Sequence, residues 1–302
     1  MVVRVFHRVS AVIPKTHEDA VSDALYDRTD AVSVAVGEIV EAAPLPKGLT
    51  TAEALFDAVP DLDRVRLALA AAGLDPVPEL DLMEIADTDW VTASLRDLTE
   101  LHAGRVHIYG SHHPRPLRDG RIALKIDAGL AFGTGHHETT QGVLLALDAL
   151  ARRTRPRRML DVGTGTGVLA MAMARYFGRS VLATDIDEVA VAVARENARI
   201  NGLSHMVRCA TAPGMRHPAI AGGAPYDLIV ANILARPLVA LAGDITDALA
   251  PGGHVVLSGI LGWQARWVTH AYASRGLVLV ARVERGDWAT LVLRRVQAAR
   301  GV

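Results

Sequence analysis

The segment Met159-Leu160-Asp161-Val162-Gly163-Thr164-Gly165-Thr166-Gly167 constrains the fold of this chain more than any other stretch. An apolar strand pattern passes through alternating glycines straight into the apolar run Val168–Phe177. A strand that turns into a helix so abruptly needs backbone positions open to positive φ, and glycine supplies them. The helix start then leaves unpaired N–H groups facing the turn, a ready site for an anionic or polar ligand. The surrounding sequence repeats this alternation. Helix patterns at 138–152, 168–177, 188–201, 234–249 and 263–275 separate strand patterns at 159–162, 181–185, 206–210, 228–232 and 254–258. Pro251-Gly252-Gly253 reads as a turn before the fifth of those strands. Alternation of this kind predicts an α/β domain with a mainly parallel sheet. The last two strands, Leu277–Val283 and Ala289–Arg294, are joined only by residues 284–288, too short for a parallel return, so they must be antiparallel neighbours. A seven-stranded doubly wound sheet that ends in a hairpin is not the usual dinucleotide-dehydrogenase sheet.

The N-terminal part reads differently. Val2–Ile13, Ala31–Val36, Thr51–Val59 and Leu80–Ile85 are strand patterns, with helices after Thr16 and over Asp61–Ala72. Thr16 is placed as a helix N-cap, with Ala20, Val21 and Leu25 as the apolar face that follows. The order β-α-β-β-α-β is the ferredoxin-like arrangement. Residues 41–48, with Pro44 and Pro46, read as a loop, and Asp87–Leu98 as a connecting helix. Strands at 105–109 and 121–126 flank a turn-rich stretch. The expected division is therefore an α+β domain at 1–88, a helical linker at 89–102, and the α/β domain at 103–302.

Composition narrows the function classes. The chain has 302 residues, 50% hydrophobic and 22% charged, enough to bury a core in each of two domains. Lys plus Arg is 32 against 33 for Asp plus Glu, which gives no global positive field to draw it onto nucleic acid or anionic membrane. The single cysteine, Cys209, excludes an internal disulfide or a cysteine metal cluster. Arg4, His7 and Arg8 interrupt any signal-peptide core, and there is no apolar run of membrane-spanning length. The expectation is a soluble cytoplasmic protein, working as a monomer.

Chemistry gathers at the ends of the predicted strands. The dinucleotide fingerprint G-x-G-x-x-G would need glycine at Val168, whereas the glycines sit at 163, 165 and 167. Gly-x-Gly-x-Gly after a strand acid resembles the S-adenosylmethionine-binding turn of Rossmann-like methyltransferases; a turn that binds nothing is the alternative. Asp185 ends the next strand, where a carboxylate can accept both ribose hydroxyls of an adenosyl group. Its other possible role is capping the following helix, for which Asp187 is better placed. Asn232 ends a buried strand near the switch point, where it can orient an incoming amine or simply cap a helix. It is followed by Ile233, Leu234 and Ala235, with no aromatic to stack on a flipped base, which argues against a nucleic-acid base as substrate. Asp127–Thr140 holds Gly129, Gly133 and Gly135 and the hydroxyls of Thr139 and Thr140, a loop able to lie over a cofactor. His136, His137 and Glu138 are consecutive and lack metal-ligand spacing, so no metal is expected.

Together these motifs occur in one order along nearly the whole chain: the Phe132-Gly133-Thr134-Gly135-His136 loop, the glycine turn, Asp185, Asn197-Ala198-Arg199-Ile200-Asn201-Gly202, Asn232-Ile233-Leu234 and the final Trp288–Arg294. The chain resembles the methyltransferases of the eleventh large-subunit ribosomal protein, the PrmA family. The resemblance implies a Rossmann-like methyltransferase domain, plus a ferredoxin-like domain that recognises the protein substrate. It also implies transfer of methyl groups from S-adenosylmethionine to lysine and N-terminal amines, with S-adenosylhomocysteine as product. The family's cofactor positions fall on Thr140, Gly163, Asp185 and Asn232, with Gly165, Phe132 and Gly133 beside them, and Asn232 orients the amine. A small-molecule methyltransferase and a non-enzymatic nucleotide-binding module remain as alternatives; Val168 argues against a dehydrogenase.

Overall fold

A computed structural model of the chain describes residues 5–31, 33–37, 45–56, 58–86, 100–110, 120–126 and 137–296. It separates into two compact units, residues 1–96 and 97–302.

In the first unit β1 (Val5–Pro14), α1 (Glu18–Arg28), β2 (Ser33–Gly37), β3 (Leu49–Phe56), α2 (Leu62–Ala71) and β4 (Asp81–Ala86) follow one another. The sheet order β2-β3-β1-β4, antiparallel throughout, is the ferredoxin-like arrangement. Val9, Ala11 and Ile13 alternate inward along β1, as a half-buried strand requires, and meet Val21 and Leu25 of α1 and Val65 and Leu69 of α2. Asp61 caps α2 by accepting from the amides of Asp63 and Arg64. The expected cap at Thr16 does not form. That residue lies in a short 3₁₀ turn, Lys15–His17, and its hydroxyl meets His17 Nδ1 at 3.1 Å. The buried face of α1 is Val21, Ala24 and Leu25, and Ala20 is exposed; the helix starts at Glu18, one residue later than the cap reading places it. Residues 41–44 of the 41–48 loop and the whole of the 87–98 connecting helix fall outside the described residues.

The second unit opens with a three-stranded sheet of β5 (Leu101–Ala103), β6 (Val106–Tyr109) and β7 (Ile122–Lys125). Strand β5 is too short to register as a sequence pattern, yet Leu101 and Ala103 are buried with Leu144 and Leu147 of α3 (His137–Ala151). The large sheet follows, built from β8 (Met159–Val162), β9 (Val181–Asp185), β10 (Val207–Thr211), β11 (Tyr226–Asn232), β12 (Leu249–Leu261), β13 (Leu277–Arg285) and β14 (Trp288–Arg295). Its order is β10-β9-β8-β11-β12-β14-β13, parallel as far as β12, with β14 antiparallel to both its neighbours. The expected hairpin is present, turning at Gly286-Asp287. Helices α4 (Val168–Phe177) and α5 (Glu188–Ile200) pack by the first half of the sheet. Beyond α6 (Pro218–Ala221), α7 (Ala235–Ala240), α8 (Ala242–Ala248) and α9 (Ala265–Ala273) complete the layers.

Two expectations are corrected here. The single helix over 234–249 is two helices meeting at Leu241. Strand β12 also runs through Pro251-Gly252-Gly253 rather than starting after it. Its pairing with β11 jumps from Tyr226↔Leu249 to Leu228↔His254, so the turn residues leave the ladder as an excursion within one strand.

Candidate functional site

The order of the large sheet reverses direction between β8 and β11, its central parallel neighbours. Loops leaving the carboxyl ends of strands on either side of such a point diverge and leave a crevice, where open α/β sheets bind ligands. Gly163 follows β8 and Asn232 ends β11, so the sequence-predicted residues converge there.

The glycine turn is shaped by its missing side chains. Gly163 has φ +69°, and a Cβ there would stand 2.4 Å from Ile233 Cγ2. Gly167, at φ +80°, lets α4 approach Ala194 of α5, so this third glycine serves packing. Asn197 of α5, fully enclosed, donates from Nδ2 to the Thr166 carbonyl at 2.9 Å and fixes the turn from behind. Asn201, at the end of the same helix, clasps β7: it accepts from the Lys125 amide at 2.8 Å and donates to the Lys125 carbonyl at 2.7 Å. Neither asparagine's role was legible beforehand, because each bonds to backbone far away in sequence.

Asp161 lies wholly buried beneath the turn. Its Oδ2 accepts from Thr164 Oγ1 at 2.6 Å and from the Ala170 amide at 3.1 Å, whereas Oδ1 has no partner. Burial pushes its pKa up to about 7, with the hydrogen bonds from Thr164 and Ala170 working against the rise. Asp185 ends β9 half-buried. One carboxylate oxygen accepts from the Gly165 amide at 2.9 Å and the other from the Asp187 amide at 3.1 Å. It does not cap α5; Asp187 does, accepting from the Val189 amide at 2.8 Å. Each Asp185 oxygen keeps lone-pair capacity for a further donor.

Asn232 is not a helix cap either. Leu234 occupies the N-cap of α7 without a side-chain bond, and Asn232 Nδ2 reaches across to Thr139 Oγ1 at 3.3 Å. Thr139 and Thr140 are both buried in the first turn of α3. Phe132, Gly133 and His136 lie outside the described residues. The site thus gathers a glycine-lined turn after β8, a carboxylate at the end of neighbouring β9, and a carboxamide at the end of β11. An orphaned buried oxygen behind positive-φ glycines, with an acceptor on the next strand, fits an adenosyl ligand carrying an amino-acid tail.

A second polar cluster lies on the small sheet. Glu100, His102 and His107 bring their ligating atoms within 4.8 Å of one another. The two imidazoles are cross-strand partners stacked with centroids 4.0 Å apart and planes at 29°, so their in-plane lone pairs do not converge on one point.

A family model described as "Ribosomal protein L11 methyltransferase (PrmA)" matches residues 5–296. A protein of Chelativorans sp. named ribosomal protein L11 methyltransferase is 47% identical over 234 residues, 77% of this chain and 80% of its own length. One of the same name from Bradyrhizobium diazoefficiens is 44% identical over 258 residues, 85% of this chain and 88% of its own. Among solved structures, a ribosomal protein L11 methylase from Lactobacillus delbrueckii subsp. bulgaricus superposes with a TM-score of 0.59 at 30% identity. It covers 66% of this chain and 99% of its own.

Proposed function

The chain belongs to the ribosomal protein L11 methyltransferase (PrmA) family, and from that premise we propose that it methylates lysine side-chain and N-terminal amines of ribosomal protein L11. The observation that carries this reading is the release of both Asp185 and Asn232 from helix capping at the ends of β9 and β11, the two strands that flank β8. Helix capping accounts for neither side chain, and a nucleoside bound beside an amine gives each a role.

S-adenosylmethionine, when bound, supplies a methyl group already activated on a sulfonium. Asp185 would accept from the ribose hydroxyls, and the Gly163–Gly165 backbone would hold the amino-acid tail. Thr140, buried in the first turn of α3, would contact the donor, and the family resemblance assigns Phe132 and Gly133 to the same role. Asn232 holds the substrate amine in line, its carboxamide oxygen accepting an N–H and so directing the nitrogen lone pair at the methyl group. A free lysine amine has a pKa of about 10.4 and is neutral in only about one molecule in a few thousand at pH 7. Desolvation in the crevice and the sulfonium charge favour the neutral form. No general base is required, because orientation of two held reactants supplies most of the acceleration.

The unit at residues 1–96 is assigned to gripping the protein substrate, and the chain to work as a cytoplasmic monomer. Among the described residues no helix is long and apolar enough to cross a membrane. The test is incubation with labelled S-adenosylmethionine and undermethylated ribosomal proteins, followed by mass spectrometry of the labelled band. Label on lysine and N-terminal amines of L11 supports the reading; label confined to small molecules or to another protein removes it.

A further inference from the structure

Behind Asn232 runs a buried line of hydroxyls contributed by three separate elements. Strand β12 carries a bulge against β14: Leu257 pairs with Leu291 and Ile260 with Ala289, so Ser258 and Gly259 together face Thr290. Bulges beside active sites re-aim a side chain, and this one turns Ser258 towards the start of α3. Ser258 Oγ lies 2.8 Å from Thr290 Oγ1 and 3.3 Å from the Thr139 carbonyl. A serine hydroxyl has one proton, and a carbonyl can only accept. Ser258 therefore donates to Thr139, and Thr290 donates to Ser258. Thr139 Oγ1 in turn accepts from Asn232 Nδ2. Thr139, Ser258 and Thr290 are each at most 2% exposed. Packing reinforces the placement, since Gly142, one turn along α3 from Thr139, has no room for a Cβ, which would stand 2.2 Å from Thr290 Oγ1.

We propose that Thr139 is a positioning residue for methyl transfer: its backbone carbonyl is held by Ser258, which Thr290 holds in turn, and its hydroxyl accepts from Asn232 Nδ2 and so presents Oδ1 to the substrate amine. The inference rests on the assignment of Asn232 as the amine-orienting group. An asparagine carboxamide has a donor end and an acceptor end of nearly equal size, so without a fixed acceptor on Nδ2 it can flip through half a turn. Flipped, it presents N–H groups to a nitrogen that needs an acceptor. In the structure the Thr139 hydroxyl accepts from Nδ2, which holds the carboxamide in the orientation that leaves Oδ1 for the amine. Valine at this position keeps the β-branch and the volume and removes the acceptor.

The test compares Thr139→Val, Thr139→Ser, Asn232→Ala and the Thr139→Val/Asn232→Ala double variant in the full-length chain. Turnover is measured with labelled S-adenosylmethionine on L11, and affinity for S-adenosylhomocysteine by calorimetry. Thr139→Val should lower kcat at least about tenfold, as small misplacements of a reacting group do, with nucleoside affinity held within about twofold. Thr139→Ser, which restores the acceptor, should recover turnover to within about threefold of the parent. In the Asn232→Ala background Thr139→Val should add no further loss. Parental turnover in Thr139→Val, or a loss that multiplies with that of Asn232→Ala, overturns the positioning role. Parental turnover in Asn232→Ala instead overturns the assignment of Asn232 itself. Should Thr139→Val not fold, Ser258→Ala gives the same split of kcat against affinity, and an unchanged kcat there counts against the proposal.

Discussion

Gly163 and Ile233 touch across the central pair of strands: a Cβ on the glycine would stand 2.4 Å from Cγ2 of the isoleucine. The turn after β8 is therefore seated directly on the residue that follows Asn232, and the glycine turn and the end of β11 are packed as one unit. Gly163→Ala must shift Ile233 and also place a side chain at φ +69°, which costs about 1–2 kcal/mol for an L-residue. The variant should lose turnover and S-adenosylmethionine affinity together, unlike Asn232→Ala, which should lose turnover more than affinity. Calorimetry beside a single-turnover assay checks this; a kcat loss with unchanged affinity would show that the turn does not carry the donor.

For Asp185 the expected effect is on binding. Removing the carboxylate in Asp185→Ala should weaken S-adenosylmethionine binding by about 1.5–3 kcal/mol, the usual worth of hydrogen bonds to a charged group. Because Asp187 and not Asp185 caps α5, the thermal midpoint should fall little. Calorimetry and a melting curve on the same preparation separate the two effects, and unchanged affinity in a folded variant removes Asp185 from the site.

Asp161 predicts a pH signature. Burial raises its pKa to about 7 from an ordinary 3.8, so across that window the folded chain holds a proton that the unfolded chain has released. Stability contributed by this group is greatest below pH 3.8, falls as pH rises towards 7, and is lost above it. Asp161→Asn cannot ionise, so the variant should gain in melting temperature relative to the parent as pH goes from 5 to 8. Paired melting curves across that range check it; parallel pH profiles would show that Asp161 is ionised in the folded protein.

Much of this site was legible in the sequence because its signals are local. The strands 159–162 and 181–185 and the helix 168–177 follow from short apolar runs broken by glycine and aspartate, and they match the structure residue for residue. Asp185 and Asn232 were found because position at a strand's carboxyl end is itself the signal. Thr139's bond to Asn232 and the clasp of Asn201 on Lys125 were not legible, because they join residues 93 and 76 positions apart. Only the assembled sheet brings such pairs together. Thr16 failed as a cap for a related reason: a capping pattern shows which residue could cap, but the 3₁₀ turn at Lys15–His17 determined where α1 begins. The β12 excursion likewise shows turn chemistry, correctly read at Pro251–Gly253, being absorbed into a strand by pairing on both sides.

The last prediction concerns division of labour between the two units. A chain starting at Asp97 keeps β5, whose Leu101 and Ala103 are buried with α3, along with the glycine turn, Asp185 and Asn232. A start at Ala103 would strip β5 from the sheet and expose that core, so the earlier start is the fair test. The shortened chain should bind S-adenosylmethionine as the full chain does, since every proposed donor contact lies after residue 131. It lacks the ferredoxin-like unit assigned to the protein substrate. Binding energy from such a remote surface holds the amine at the reacting centre, so its loss should lower kcat/KM on L11 steeply. A hundredfold fall corresponds to about 2.7 kcal/mol of transition-state stabilisation. After circular dichroism establishes that the shortened chain is folded, both chains are assayed on the same L11 preparation. Equal kcat/KM would mean that residues 1–96 do not recognise the substrate, whereas a steep fall with donor affinity intact assigns recognition to them.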